Sequence, residues 1–222
     1  KGIVMVTGPV GSGKTTVGRT MLQRCGDQAT IVQLVHGHTT GCELIKHVLR
    51  SLRVQPAAGE DHAQLLEQLE MQLREHARRS KPVVLFVDEA QTLNDTALEE
   101  LRLLSNFDTN TLRLLQLVLV GQPELRERIR TDAMAPLRQR IVMAKQLTPL
   151  SLPETARYIV HRLRAASRSK ESLGVMFATD AFASLHAASR GIPRLINVIC
   201  DNCLLLGMVS ECRRITSPMV GR

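Results

Sequence analysis

Aromatic side chains are nearly missing from this sequence: no tryptophan, one tyrosine and four phenylalanines among 222 residues. A platform that stacks the bases of single-stranded nucleic acid needs several exposed rings, so that function is disfavoured. The core must be filled by Leu, Val, Ile and Met instead. No apolar run reaches the roughly 18–20 residues that span a bilayer, so no transmembrane segment is expected. Cysteine is scarce too, with five residues, of which only Cys200 and Cys203 are near neighbours, in "CDNC". Their flanks are apolar and helical in pattern, and no second pair exists. They read as core thiols of a reducing compartment rather than a redox or zinc site. Internal repeats and low-complexity segments are absent as well.

What remains is an ordinary globular balance, 44% hydrophobic and 23% charged, with enough length for a sizeable core. The net charge of +8 is compatible with nucleic acid or an anionic membrane surface. Lys and Arg are dispersed rather than massed, however, which reads as a solvated basic surface plus a phosphate-binding site.

"GIVMVTG" is a short apolar run ending in Gly, the pattern of a buried parallel strand. Because Gly-rich phosphate chemistry follows at once, it reads as a core strand rather than a signal peptide, and a start on a strand leads us to expect a natural protein that extends further N-terminally. Helix and strand patterns then alternate: helix Thr15–Cys25, strand "ATIVQLVHG", helices Thr40–Leu52 and His62–Arg79, and strand "PVVLFVDE". Helix Asp95–Asn106, strand "LLQLVLVG", helical pieces at Glu124–Arg130 and Ala133–Arg138, and strand "IVMAKQL" complete the series. Such alternation predicts an α/β domain, a parallel sheet with helices on both faces. Beyond Pro153 only three helical segments are expected: Glu154–Ala166, Asp180–Ala188 and Pro193–Val209. The boundary is placed near residue 150, giving an α/β domain over 1–150 and a small all-helical one over 151–222.

Between the first strand and the first helix lies "GPVGSGKTT", which fits G-x-x-x-x-G-K-[ST] in the context that motif requires. Along Gly8, Pro9, Val10, Gly11, Ser12, Gly13, Lys14, Thr15 and Thr16, the glycines would let the backbone N–H groups, which all but Pro9 carry, curl around phosphates, and the helix N-terminus would add its partial positive charge. Lys14 would reach the β- and γ-phosphates of ATP, and the Thr15 hydroxyl would coordinate Mg²⁺. In "VVLFVDEAQ" the strand ends in Asp88, a carboxylate beside the metal, followed by Glu89, placed to polarise the attacking water as general base. Together these residues predict an ATP hydrolase. The strand "LLQLVLVGQPEL" ends beside the Asp88 edge, where Gln122 could bond a γ-phosphate oxygen or hold the lytic water. Arg138 and Arg140, just before the last strand, could reach the nucleotide of a neighbouring subunit.

With a P-loop, a sensor position and a helical C-terminal region, the chain resembles the AAA+ ATPases. The segments "VDEAQTL", "LVLVGQPEL", "LRQRI", "LTPLS" and "GIPRLINVICDNCLL" sharpen this to the general secretion pathway A-type (ExeA-like) branch. The resemblance implies a P-loop parallel sheet followed by a small helical lid. It further implies that Arg194, in the "GIPR" that opens a lid helix, points onto the β/γ-phosphates. It also implies a bacterial cytoplasmic ATPase acting as a homo-oligomeric ring, a hexamer, peripheral at the inner membrane through an envelope-assembly partner of a secretion, pilus or polysaccharide system. The chain departs from that branch in lacking the membrane segment and peptidoglycan-binding region of some members. It also carries "VHGH" around His36, where the family more often has Asn. Two alternatives share the same nucleotide residues: a transposition-type AAA+ regulator that assembles on DNA, and a slow nucleotide-dependent scaffold.

Overall fold

The computed structural model describes residues 2–34, 40–107, 114–167 and 176–220; His36 and the end of the "ATIVQLVHG" strand lie outside the described residues. Two compact units form: Lys1–Gly8 with Lys14–Leu147, and Pro9–Gly13 with Thr148–Arg222.

The first unit runs β1 (Ile3–Thr7), α1 (Lys14–Cys25), β2 (Thr30–Leu34), α2 (Gly41–Ser51), α3 (His62–Arg78), β3 (Val83–Val87) and α4 (Asp95–Leu104). It continues with β4 (Leu115–Gly121), α5 (Pro123–Arg130), α6 (Ala135–Arg138) and β5 (Ile141–Gln146). Its strands make one five-stranded sheet in the order β2-β3-β4-β1-β5, every pair parallel. β3, "VVLFV", is buried at every position, as a strand covered on both faces must be. Val83, Leu85 and Val87 join one core with Leu44, Ile45, Val48 and Leu49 of α2, Leu65, Leu69 and Leu73 of α3, and Leu98 and Leu101 of α4. Val84 and Phe86 point the other way, with Val118, Val120 and Leu22 of α1. Each such buried aliphatic side chain stabilises the fold by about 1.5–3 kcal/mol. Capping boxes start α2 (Thr40 with Glu43) and α3 (Asp61 with Gln64), each cap worth about 1 kcal/mol.

The second unit holds α7 (Leu152–Ala166), β6 (Met176–Phe177), α8 (Thr179–Ser189), α9 (Pro193–Val209) and β7 (Arg214–Ile215). Ile159, Phe177, Ala181, Leu185, Ile196, Cys203 and Ile215 form its core. It differs from the all-helical expectation in one detail, the parallel ladder between β6 and β7. Two-residue strands are too short to show an alternating pattern in sequence; burial of Phe177 and Ile215 fixes them. α7 starts two residues earlier than the pattern suggests, because Pro153 is tolerated in a first turn and Ser151 caps it with Glu154.

Candidate functional site

In the first unit the parallel register brings the ends of three strands together. Thr7 of β1 pairs with Gly121 of β4, and Val87 of β3 with Leu119, so Gly8, Asp88 and Gln122 all leave the sheet at the same edge. The Gly8 N–H donates to the Gly121 carbonyl at 3.2 Å. Lys14, the first residue of α1, is 6% exposed, and its Nζ donates back to the Gly8 carbonyl at 2.9 Å. Thr15 Oγ1 donates to Asp88 Oδ2 at 2.9 Å. Asp88 is itself fixed twice: its N–H donates to the Leu34 carbonyl at 3.0 Å, and its Oδ1 accepts from the Glu89 N–H at 2.9 Å.

Glu89 adopts a left-handed backbone (φ 51°, ψ 39°), a conformation that costs a non-glycine residue about 1–2 kcal/mol. Strain of this kind concentrates at functional positions. Its Oε2 accepts from Gln91 Nε2 at 2.6 Å and from Gln122 Nε2 at 3.4 Å. Gln91 Oε1 in turn accepts from the Gln122 backbone N–H at 3.0 Å. The Gln91 hydrogen bond holds the Glu89 carboxyl below its ordinary range; burial opposes this, and Gln122 and the Lys14 charge reinforce it. Glu89 is thus an anion held in place by two amides. Gln91 is the participant that motif reading does not single out. Its only sequence signal is an amide two positions after the acidic pair, and its role emerges only from the β3–β4 register.

In the second unit, Pro9–Gly13 form a turn with the Ser12 N–H donating to the Pro9 carbonyl at 3.2 Å. Gly11 and Gly13 have φ of 78° and 89°, conformations open to glycine. The Ser12 hydroxyl is buried and, among the described residues, has no hydrogen-bond partner. The Gly11 carbonyl accepts the Arg194 N–H at 3.2 Å, and a Cβ on Gly11 would lie 2.8 Å from the Arg194 Cβ. The turn that delivers Arg194 is equally constrained. Gly191 has φ 70°, and a Cβ there would meet the Leu150 carbonyl oxygen at 2.1 Å. The Arg194 side chain is exposed, and among the described residues it has no hydrogen bond or ion pair. Thr16 and Val10 are exposed and Pro9 is half-buried.

Arg138 and Arg140 lie elsewhere. The Arg138 guanidinium donates to the carbonyls of Arg130 and Thr131 at the end of α5. Arg140 is exposed, its carbonyl accepting the Ile3 N–H at 2.8 Å. That places it at the opposite end of β1 from Thr7, about 13 Å along a strand. Among the described residues its side chain has no partner. The neighbouring Val142 and Met143 of edge strand β5 are 62% and 51% exposed.

The donor set fits a metal–polyphosphate ligand. Thr15 and Asp88 present the hard oxygens that Mg²⁺ takes. In the first unit, the buried Lys14 at the start of α1 suits phosphate oxygens; in the second, taken by itself, the left-handed Gly11 and Gly13 and the buried Ser12 hydroxyl suit them too. Elsewhere, Cys203 is buried and Cys200 half-buried, and burial raises both thiols above their ordinary range. No helix among the described residues is long and apolar enough to cross a membrane.

Comparison with known proteins bears on the family and the fold. The family model described as AAA domain matches residues 1–129. General secretion pathway protein A of Aeromonas hydrophila is 36% identical over 204 residues, covering 92% of this chain and 37% of that protein. Among solved structures, Cdc6p of Pyrobaculum aerophilum superposes with a TM-score of 0.69 at 17% identity, over 96% of this chain and 57% of that one. The ADP form of the ORC2 protein of Aeropyrum pernix superposes with a TM-score of 0.68 at 13% identity, over 100% and 61%. The chain therefore spans little more than a third of its secretion-pathway relative and about three fifths of these two structures.

Proposed function

The chain belongs to the AAA domain family, and from that premise we propose that it binds and hydrolyses ATP with Mg²⁺. One observation carries this reading: Glu89, clamped by Gln91 and Gln122, stands next to the Thr15–Asp88 pair and the buried Lys14. Lys14 and the N–H groups of Gly13, Lys14, Thr15 and Thr16, which precede or open α1 and have no intrahelical acceptor, bind and orient the phosphates. Thr15 and Asp88 hold Mg²⁺, whose charge offsets that of the phosphate oxygens. Glu89 orients the attacking water and accepts its proton, and Gln122 faces the γ-phosphate. Arg194, tied through its backbone to Gly11 of the phosphate loop, adds a guanidinium to the β/γ-phosphates. In this reading residues 1–150 carry the hydrolytic machinery and 151–222 the lid.

Oligomerisation as a ring is part of the proposal. Arg140 has no phosphate at its own end of the sheet, and the exposed Val142 and Met143 beside it suit a subunit interface, so it acts on a neighbour's nucleotide. Arg138 is the other candidate, but its bonds to the end of α5 favour Arg140. Similarity to general secretion pathway protein A supports work on the cytoplasmic side of the inner membrane, with a membrane protein of an envelope secretion, pilus or polysaccharide system as partner. The charge of +8 favours the second reading, a regulator assembled on DNA; affinity for duplex DNA that falls steeply with salt would support it.

The test is nucleotide titration and phosphate release by the purified protein with Mg²⁺. Parent protein should bind and turn over ATP, and Lys14→Ala should lose binding. Absence of nucleotide binding by the parent would overturn the reading.

A further inference from the structure

We infer that Gln91 is a positioning residue that holds the Glu89 carboxylate and couples it to the end of β4, a role that rests on reading Glu89 as the base. The amide orientation is set by chemistry. A backbone N–H can only donate, so the Gln91 oxygen must face the Gln122 N–H (3.0 Å). The Gln91 NH₂ must then face Glu89 Oε2 (2.6 Å). The Gln122 side chain bonds that same oxygen, which leaves Oε1 as the atom to take the proton from water.

Space is reserved for this link. A Cβ on Gly121, the last residue of β4, would lie 3.0 Å from Gln91 Oε1 and 2.8 Å from Leu125 Cδ2. Gln91 itself sits in the short turn Ala90–Thr92 that follows the left-handed Glu89. One side chain therefore joins the carboxylate after β3 to the strand that carries Gln122. A shift of Gln122 towards or away from a γ-phosphate reaches Glu89 through a single amide. Without Gln91, the hydrogen bonds to the Glu89 carboxylate among the described residues would reduce to the 3.4 Å contact with Gln122.

The experiment compares steady-state ATP hydrolysis and ATP affinity of parent, Gln91→Ala, Gln91→Glu, Glu89→Gln and the Glu89→Gln/Gln91→Ala double variant. Gln91→Ala should lower kcat by roughly 10–100-fold, the scale of a small misplacement of a reacting group, while KM and ATP affinity stay near parental. Gln91→Glu keeps the acceptor for the Gln122 N–H but sets a second carboxylate against Glu89, so it should lose at least as much. In the Glu89→Gln background, Gln91→Ala should cost nothing further. A second readout needs no turnover. The Gln91 side-chain amide resonances of the nucleotide-free protein, assigned by their loss in Gln91→Ala, should shift in Glu89→Ala. Parental kcat in both Gln91 variants, with Glu89→Gln inactive, overturns the role of Gln91 alone. Near-parental Gln91→Glu beside a defective Gln91→Ala reduces Gln91 to a support for β4 and also overturns it, as does an unmoved amide resonance. Parental turnover by Glu89→Gln overturns the reading of Glu89 instead.

Discussion

Thr15 Oγ1 donates to Asp88 Oδ2 at 2.9 Å, joining the first turn of α1 to the residue that follows β3, 73 positions later. A hydroxyl and a carboxylate held this close can share one cation. Thr15→Ala should leave the fold intact and weaken the Mg²⁺-dependent part of ATP affinity by at least roughly 10-fold, as loss of a group supporting a bound metal does. Titrations with and without Mg²⁺ check this. Equal Mg²⁺ enhancement in parent and variant would remove Thr15 from the metal site.

Arg194 presents an exposed guanidinium at a backbone fixed to Gly11. Arg194→Ala should weaken ATP binding by about 1.5–3 kcal/mol, the worth of a charge-assisted hydrogen bond, and ADP binding by less. Arg194→Lys should recover only part, because an ammonium cannot reproduce the guanidinium fork. Titration of both nucleotides decides. Parental affinities for both, with only thermal stability changed, would make Arg194 a surface residue.

Arg140 stands at the Ile3 end of β1, away from its own Gly8. Arg140→Ala should bind ATP normally and hydrolyse it poorly, up to the roughly 10³–10⁵-fold that an arginine supplied in trans contributes in other P-loop enzymes. Mixing Arg140→Ala with Lys14→Ala protein should restore activity, since some interfaces then pair an intact loop with an intact arginine. No recovery in oligomers shown to be mixed would end the trans role.

Cys200 is pushed up to about 12 by burial, with Cys203 and Asp201 acting in the same direction. A raised thiol stays protonated until the pH approaches that value, and only the thiolate is a nucleophile. Iodoacetamide at about pH 8 should therefore modify the exposed Cys212 first and spare Cys200 until the protein unfolds. Mass spectrometry of the modified peptides checks the order. Early modification of Cys200 in folded protein would contradict it and reopen "CDNC" as a reactive pair.

The glycine-rich turn before α1, the buried β3 and the acidic pair at its end were legible because each is written locally: glycine spacing, a continuous apolar run, and two carboxylates at a strand end. The amphipathic pattern of α2 and α3 was legible for the same reason. The β6–β7 ladder was not, since two residues carry no period. Gln91 was invisible because its meaning depends on which strand lies beside β3, and only the register of β3 with β4 supplies that. The bond between Gly11 and Arg194 is likewise a tertiary fact: sequence offers the glycine and the arginine, but their meeting depends on the Gly191 turn against Leu150.

The most direct test of the account is Glu89→Gln. The substitution keeps the shape of the side chain and its contacts with the amides of Gln91 and Gln122 but removes the proton acceptor. Measured side by side, ATP affinity should remain parental while phosphate release falls by roughly 10²–10⁴-fold, the contribution of a general base. Phosphate release at the parental rate, with affinity unchanged, would contradict the assignment of this site to ATP hydrolysis through Glu89.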